Sequence, residues 1–247
     1  MKIPRLVAIS LALILGGLVG SVRVGAGAED RVDLSTLDAW KGPTEGWAAA
    51  GSVAVDPKDP RLLTSKPGLG LFTNAPAGRA RNLVSKETFG DVALHVEFFI
   101  PKGSNSGVKF QGVYEIQILD SHGVRSPKGS DSGGVYPRSE EKPKYHHIDG
   151  GHPPLVNAAR PFGEWQELDL TFIAPRFDAQ GVKLADARIT AILNGQTVQD
   201  DLKVATPTGA AWHDPEKPTG PILLQADHGP VAFRNVKARR LQPGRPH

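Results

Sequence analysis

Glycine and proline restrict what this chain can fold into more than any other feature. The 247 residues include 28 Gly and 21 Pro, and all but six of these follow residue 28. Between them lie short runs in which apolar and polar side chains alternate, which is the period of a β-strand and not of a helix. The chain is therefore predicted to be all-β, a two-sheet antiparallel sandwich of jelly-roll type.

Seven alternating runs are predicted as strands. They cover residues 92–100, 107–111, 114–119, 167–173, 187–193, 221–226 and 231–238. The pair Asn194-Gly195 has the chemistry of a tight hairpin turn and is predicted to lead from the fifth run into a strand over 196–198. Only two short stretches have a helical pattern, residues 34–39 and 199–204.

The first 28 residues have the layout of a secretory signal peptide. Lys2 and Arg5 precede an apolar run over 6–20, and small residues end the segment at Ala28, where cleavage is predicted. An uncleaved membrane anchor is the alternative, but the apolar run is short and is interrupted by glycines. We therefore predict export to a periplasm or to the medium, with no membrane attachment afterwards and a single sandwich domain over 29–247.

Charge bears on the possible partners of this chain, and cysteine content bears on what stabilises its fold. The chain has 29 Lys plus Arg against 26 Asp plus Glu, and three of the cations but none of the acids lie in the predicted signal peptide. The mature chain is thus formally neutral and has no basic stripe, which argues against nucleic acid as a partner. Because there is no cysteine, burial of apolar side chains must hold the fold together. No pattern indicates an oligomeric state.

The run 114–119 carries the most informative polar pair. Alternation places Tyr114, Ile116 and Ile118 toward the core, and it places Glu115 and Gln117 together on the opposite face. A carboxylate and an amide that project side by side from a strand anchored by apolar residues form a rigid platform for a polar ligand.

Two earlier runs are predicted to extend this polar face. By the same alternation, His95 and Glu97 point outward from 92–100, and Lys109 and Gln111 point outward from 107–111. Three consecutive strands would then share one polar surface. For His95, Glu97 and Gln111 the alternative is an ordinary half-solvated sheet face.

An ordered series of short motifs resembles the 3-keto-disaccharide hydrolase domain family. The motifs are Asn105-Ser106-Gly107-Val108-Lys109-Phe110, Tyr114-Glu115-Ile116-Gln117-Ile118-Leu119-Asp120, Gly133-Gly134-Val135-Tyr136, Gly163-Glu164-Trp165-Gln166, Asn194-Gly195, Gly220-Pro221-Ile222-Leu223-Leu224-Gln225, His228 and Phe233-Arg234-Asn235-Val236. Their order matches over about residues 30–241, nearly the whole mature chain.

The resemblance implies a concanavalin A-like sandwich that acts on glycosides oxidised to a ketone at C3 of the sugar. In that chemistry a base removes the C2 proton, the C1 substituent leaves, and water adds to the resulting enone. Such a hydrolase or lyase needs one base, whereas ordinary glycoside hydrolysis needs two carboxylates that flank the bond. Along its own face Glu115 is followed by Gln117 and not by a second acid. A non-catalytic carbohydrate-binding module of the same fold is the alternative, and nothing in the chain specifically supports a structural or protein-partner role.

Matched positions in the family also imply functional residues. The implied catalytic residues are Glu115, Lys109 and His228, and the implied substrate-binding residues are Asn105, Ser106, Gln117, Tyr136, Gln225 and Arg234. Glu115 would be the base or a metal ligand, and Lys109 and His228 would assist the enolate or the leaving group. Lys109 stands where the family often has arginine. Lysine offers a point charge in place of the planar guanidinium of arginine.

Two of these assignments depend on local geometry. Strict alternation places His228 on the face opposite Gln225, so it can reach the site only if the strand bends or ends near Gly229-Pro230. For Arg234 the alternative is a salt bridge at a strand end.

A loop over residues 138–152 leaves open whether the protein binds a metal cofactor. It contains His146, His147, Asp149 and His152, which are possible ligands for a divalent metal ion, although their spacing matches no zinc motif. A solvated surface loop and a lid that touches the substrate are the alternatives.

Overall fold

The computed structural model describes residues 30–76 and 78–242. The predicted signal peptide lies outside these residues and stays a prediction, as does the single domain over 29–247. Within the described part there is no α-helix, and no helix has the length and hydropathy needed to cross a membrane.

Sixteen strands and two short 3₁₀ turns make up the described part. The strands are β1 (Arg31–Asp33), β2 (Ala48–Val55), β3 (Leu63–Thr73), β4 (Leu83–Phe89), β5 (Val92–Phe99), β6 (Asn105–Phe110), β7 (Tyr114–Leu119), β8 (Ser139–Glu140), β9 (His146–His147), β10 (Trp165–Ile173), β11 (Arg176–Phe177), β12 (Lys183–Ala185), β13 (Ala187–Leu193), β14 (Gln196–Val204), β15 (Gly220–Leu224) and β16 (Ala232–Arg240). The 3₁₀ turns are Leu37–Ala39 and Ala210–His213.

Two antiparallel sheets form the layers of a sandwich. The larger sheet has eight strands in the order β14-β13-β10-β5-β16-β3-β2, with β1 added beside β16, and the smaller has the order β4-β15-β6-β7. The all-β class predicted from glycine, proline and alternation is therefore confirmed. Two small hairpin sheets, β8–β9 and β11–β12, lie outside these layers.

Apolar side chains from both sheets meet in one core. The rings of Phe110 on β6 and Phe172 on β10 stack with their centroids 4.7 Å apart, and Tyr114 on β7 packs against the same Phe172 at 5.3 Å. Ile116 and Ile118 are also fully buried in this core. The alternation predicted for the run 114–119 thus places the apolar face of β7 between the layers.

The hairpin prediction agrees with the backbone, whereas one helix prediction is wrong. Asn194 and Gly195 both have positive φ, 51° and 78°, as a tight hairpin turn between β13 and β14 requires. Strand β14 then continues to Val204, so residues 199–204 are not helical. Pairing with β13 and burial of Val198 and Val204 outweigh the local helical pattern.

The prediction of one polar face across three consecutive strands is wrong. β5, which carries His95 and Glu97, belongs to the eight-stranded sheet, whereas β6 and β7 belong to the four-stranded sheet. The connection after β5 crosses from one layer to the other, so the outward faces of β5 and β7 lie on opposite sides of the sandwich. Gln111 is not on a strand at all, because it adopts a φ of 53° in the turn between β6 and β7.

Candidate active site

The outward face of β7 opens into a polar cavity of about 530 Å³. A cavity of this volume is within the usual range for a small-molecule site. Seven of the nine predicted site residues line it: Asn105, Lys109, Glu115, Gln117, Tyr136, Gln225 and His228. These side chains come from β6, β7, the segment after residue 132 and the segment after β15.

Glu115 is covered although it points away from the core. Strand β7 has an open edge, which the segment 133–136 occupies: Gly133 donates its N–H to the Gln117 carbonyl at 2.9 Å, and Tyr136 donates to the Glu115 carbonyl at 3.1 Å. The Glu115 N–H itself donates to Thr208 Oγ1 at 3.0 Å. With these segments placed against β7, Glu115 is only 2 % exposed.

Lys109 supplies the counter-charge for this buried carboxylate. Lys109 and Glu115 are directly opposite in the β6–β7 register, and Lys109 Nζ lies 3.0 Å from Glu115 Oε2. Burial raises the pKa of the Glu115 carboxyl above its ordinary value of 4.5, and the Lys109 ammonium opposes that rise. His228 also lowers this pKa, and Asp227 raises it.

Unpaired amide and hydroxyl atoms surround the ion pair. Gln117 Nε2 donates to Asn105 Oδ1 at 3.0 Å, but Gln117 Oε1, Gln225 Oε1 and Ser139 Oγ are buried without a hydrogen-bond partner among residues 30–76 and 78–242. All three residues line the cavity. Buried polar atoms are normally hydrogen-bonded, so these are positioned to meet the hydroxyl groups of a polar ligand.

A tyrosine pair closes one side of the cavity. Tyr136 Oη lies 2.8 Å from Tyr145 Oη, and His147 Nε2 lies 3.1 Å from Tyr136 Oη. Burial and the hydrogen bond with Tyr145 raise the pKa of the Tyr136 phenol, which keeps it protonated near neutral pH. Tyr145 and Glu141 of the loop 138–152 line the cavity, and contact of this loop with the substrate stays one of the alternatives.

His228 reaches the cavity because the strand before it ends early. β15 stops at Leu224, so the alternation that would turn His228 away from Gln225 no longer applies. His228 Nδ1 lies 2.6 Å from Asp227 Oδ1, and Nε2 has no hydrogen-bond partner within the described ranges. The His228 side chain is 55 % exposed and stands at the rim of the cavity.

Two predicted site residues do not line the cavity. Ser106 shares the core-facing side of β6 with Val108 and Phe110, and its hydroxyl donates to the Gln225 carbonyl at 2.7 Å. Arg234 lies on β16 in the eight-stranded sheet, where it donates to Glu97 Oε2 at 2.6 Å and stacks over the Trp165 ring at 4.0 Å. Both have structural roles, and for Arg234 this is the salt bridge given as the alternative.

The structure adds five polar residues that sequence reasoning missed. They are Asn82, Ser139, Glu141, Tyr145 and Asp227. Asp227 could have been found from its position next to His228, and Glu141 and Tyr145 lie in the loop already considered as a lid. No sequence signal identifies Asn82 or Ser139, because packing of distant segments brings them to the cavity.

The residues present do not form an evident metal site. Within the described ranges there is no group of three His, Asp or Glu side chains close enough to hold a metal ion. His146, His147 and His152 are therefore not assembled with acidic ligands, and Asp149 is instead paired with Arg138 at 2.6 Å. At Glu115 an ammonium already occupies the position beside Oε2 where a cation would bind.

Comparison with protein families decides where this chain belongs. The model of the 3-keto-alpha-glucoside-1,2-lyase-like domain matches residues 27–239, nearly all of the part after the predicted signal peptide. The chain belongs to this family. The resemblance seen in the ordered motifs is thereby confirmed, and membership of the family indicates a carbohydrate-active protein.

Solved structures share the fold of this family member. A proposed glycosyl hydrolase from Parabacteroides distasonis is 24% identical, with 86% of this chain and 84% of that chain covered and a TM-score of 0.58. A second proposed glycosyl hydrolase from the same organism is 16% identical, with 80% and 89% covered and a TM-score of 0.50. No curated protein matches this chain.

Proposed function

We propose that this protein is an enzyme that cleaves the glycosidic bond of 3-keto-glycosides by elimination and hydration. The observation that carries the proposal is the buried carboxylate of Glu115, held 3.0 Å from the Lys109 ammonium inside a polar, sugar-sized cavity. The other two acids that line this cavity, Glu141 and Asp227, are exposed. The name of the family and the glycosyl hydrolases that share its fold support the same class of substrate.

The first step is removal of the proton at C2. A ketone at C3 acidifies this C–H bond, and a carboxylate with a raised pKa is a stronger base than an ordinary one. Glu115 takes the proton, and the electron pair of the C–H bond moves into a C2–C3 double bond with the negative charge on the ketone oxygen. The Lys109 ammonium and the Tyr136 hydroxyl are positioned to stabilise this enolate.

The second step expels the group at C1. The enolate returns its electron pair to form a C1–C2 double bond and a C3 ketone, and the C1–O bond breaks. The departing oxygen takes a proton from Nε2 of the His228 imidazolium, whose Nδ1–H donates to Asp227, and the histidine regains that proton from the water that adds in the next step. Water then adds across C1 and C2, which gives the free 3-keto sugar.

Buried amides and hydroxyls hold the sugar during both steps. Gln117 Oε1, Gln225 Oε1 and Ser139 Oγ have no hydrogen-bond partner in the part of the chain that the structure describes, and they can accept hydrogen bonds from sugar hydroxyls. A neutral sugar satisfies these atoms without adding charge to the site. A purely apolar ligand would fit poorly, because it would leave these buried polar atoms without hydrogen bonds.

The proposal also includes the location and the finer class of the fold. The signal peptide predicted over residues 1–28 supports export to a periplasm or the medium. The two antiparallel layers support a concanavalin A-like jelly roll.

The test compares a 3-keto-disaccharide with its unoxidised parent sugar. Wild-type protein should release the aglycone only from the oxidised substrate, with and without added divalent metal. Glu115→Gln should lower kcat by roughly 10²–10⁴-fold, the usual contribution of a general base. The control is Glu45→Gln, which changes an exposed acid that does not line the cavity and should leave kcat unchanged.

Three other results would contradict the proposal. Cleavage of the parent sugar would indicate ordinary glycoside hydrolysis, and binding of glycans with no product released even from the 3-keto-disaccharide would indicate a carbohydrate-binding module. Full activity of a folded Glu115→Gln variant would remove this residue as the base. Thermal unfolding of the variant shows whether it has folded.

A further inference from the structure

A second cavity adjoins the candidate active site. This outer cavity is formed by residues 58–61, 102–104 and 228–230 and has a volume of about 660 Å³. His228 lines both cavities, so the outer cavity begins where the inner one ends. Its volume is again within the range of small-molecule sites.

The outer cavity has an excess of positive charge. Lys58, Arg61 and Lys102 line it, against the single carboxylate of Asp59. Arg61 is already engaged, because its Nε donates to Asp59 Oδ1 at 3.0 Å and its Nη2 donates to Asp59 Oδ2 at 2.8 Å. Neither Lys58 nor Lys102 forms an ion pair with any residue in 30–76 or 78–242. Two ammonium groups are therefore available to a ligand.

Backbone hydrogen bonds hold the two lysine-bearing loops in place. Asp56 accepts the N–H of Lys58 at 2.7 Å, and Asp120 accepts the N–H of Gly103 at 2.9 Å. The Lys102 N–H donates to the Pro60 carbonyl at 2.9 Å, which ties one loop to the other. The walls of the cavity are thus formed without using either ammonium group, as expected of a pre-organised binding site.

The position of His228 relates this cavity to the reaction. With a 3-keto sugar bound beside Glu115 and its C1 oxygen near His228, the substituent on that oxygen extends past His228 into the outer cavity. We infer that the outer cavity is the leaving-group subsite and that it selects glycosides whose leaving group carries a carboxylate or a phosphate. The leaving-group role depends on the proposed function, whereas the affinity of the cavity for anions does not.

The test uses two substrates that differ by one carboxylate. These are the 3-keto-glucosides of benzyl alcohol and of 4-carboxybenzyl alcohol. Wild-type protein should have the higher kcat/KM for the acidic substrate, and Lys58→Gln/Lys102→Gln should lower that value about threefold to tenfold, as the loss of two exposed ion pairs predicts. The value for the neutral substrate should change less than twofold.

A matched control removes two charges elsewhere. Lys41→Gln/Lys66→Gln changes two exposed lysines outside both cavities and should leave the preference for the acidic substrate intact. Raising the salt concentration should reduce the preference of wild type and not that of the Lys58/Lys102 variant. Equal kcat/KM values for the two substrates, or equal losses in both double variants, would overturn the inference and leave the proposed function standing.

Direct binding separates this inference from the proposed reaction. The unoxidised 4-carboxybenzyl glucoside is the probe, titrated calorimetrically into wild type and into the Lys58/Lys102 variant. Weaker binding to the variant supports an anion subsite even if no 3-keto substrate is cleaved. Identical binding to both proteins overturns it.

Discussion

Burial and the Lys109 ammonium have opposite effects on the pKa of Glu115, the proposed base of the candidate site. Burial disfavours the carboxylate and is the larger effect, so the pKa of Glu115 rises although an ammonium lies 3.0 Å away. A folded-state pKa above the ordinary 4.5 means that the folded state binds this proton more tightly than the unfolded state does. The stability that it contributes is present below pH 4.5 and is lost as the pH rises through the folded-state pKa.

Removing Lys109 should shift the acid limb of the pH–activity profile to higher pH. Because the Lys109 ammonium lowers the pKa of Glu115, Lys109→Met should raise that pKa further, and the base will then ionise only at higher pH. The profile of kcat/KM against pH for a 3-keto-glycoside measures the shift, with Lys66→Gln as the control for loss of a distant exposed charge. An acid limb that stays in place or moves to lower pH would show that Glu115 is not the titrating base.

Pairing of β6 with β7 explains why glycine precedes the lysine by two positions. Gly107 lies beside Glu115 on the outward face, and a Cβ added there would lie 2.3 Å from Glu115 Oε1. The absence of a side chain at this position leaves room for the carboxylate. The β6–β7 pair therefore positions Glu115 opposite the Lys109 ammonium and beside Gly107, which has no side chain.

Gly107→Ala should displace the Glu115 carboxylate and impair the reaction more than the fold. A shift of about 1 Å in a reacting group can cost roughly 10²-fold in rate, so kcat/KM should fall by about that factor. Gly42→Ala is the control, since a Cβ there meets nothing within 4 Å. Steady-state kinetics and thermal unfolding are the measurements. Unchanged kcat/KM in Gly107→Ala would show that the position of the carboxylate is not critical.

The two layers of the sandwich depend on aromatic contacts between them. Phe172 of the eight-stranded sheet stacks on Phe110 and packs against Tyr114 of the four-stranded sheet, so it lies directly beneath the strands that carry Glu115 and Lys109. The same residues therefore hold the layers together and support the floor of the site.

Phe172→Ala should destabilise the fold by about 3–5 kcal/mol, the usual cost of a large cavity in a core. Urea unfolding monitored by fluorescence measures the change. Phe177→Ala is the matched control, because Phe177 is only partly buried and lies outside the core, and it should cost much less. Similar losses for both variants would contradict a special role for the contact between the layers.

Local patterns in the sequence predicted the features that depend on neighbouring residues. Alternation along β7 placed Glu115 and Gln117 on the face opposite the core, and Asn194-Gly195 marked the hairpin because both residues tolerate positive φ. The motif order identified the family. In each case the information lies within a few consecutive residues, where strand period and turn geometry apply.

Tertiary structure alone decided which layer each strand joins and what converges on Glu115. No local pattern shows that the chain crosses between layers after β5, that the segment 133–136 covers β7, or that Arg234 lies on the other sheet. Asn82 and Ser139 likewise reach the cavity by long-range packing. These outcomes depend on contacts between residues far apart in the chain, and their energies are settled only when the two layers and their loops pack together.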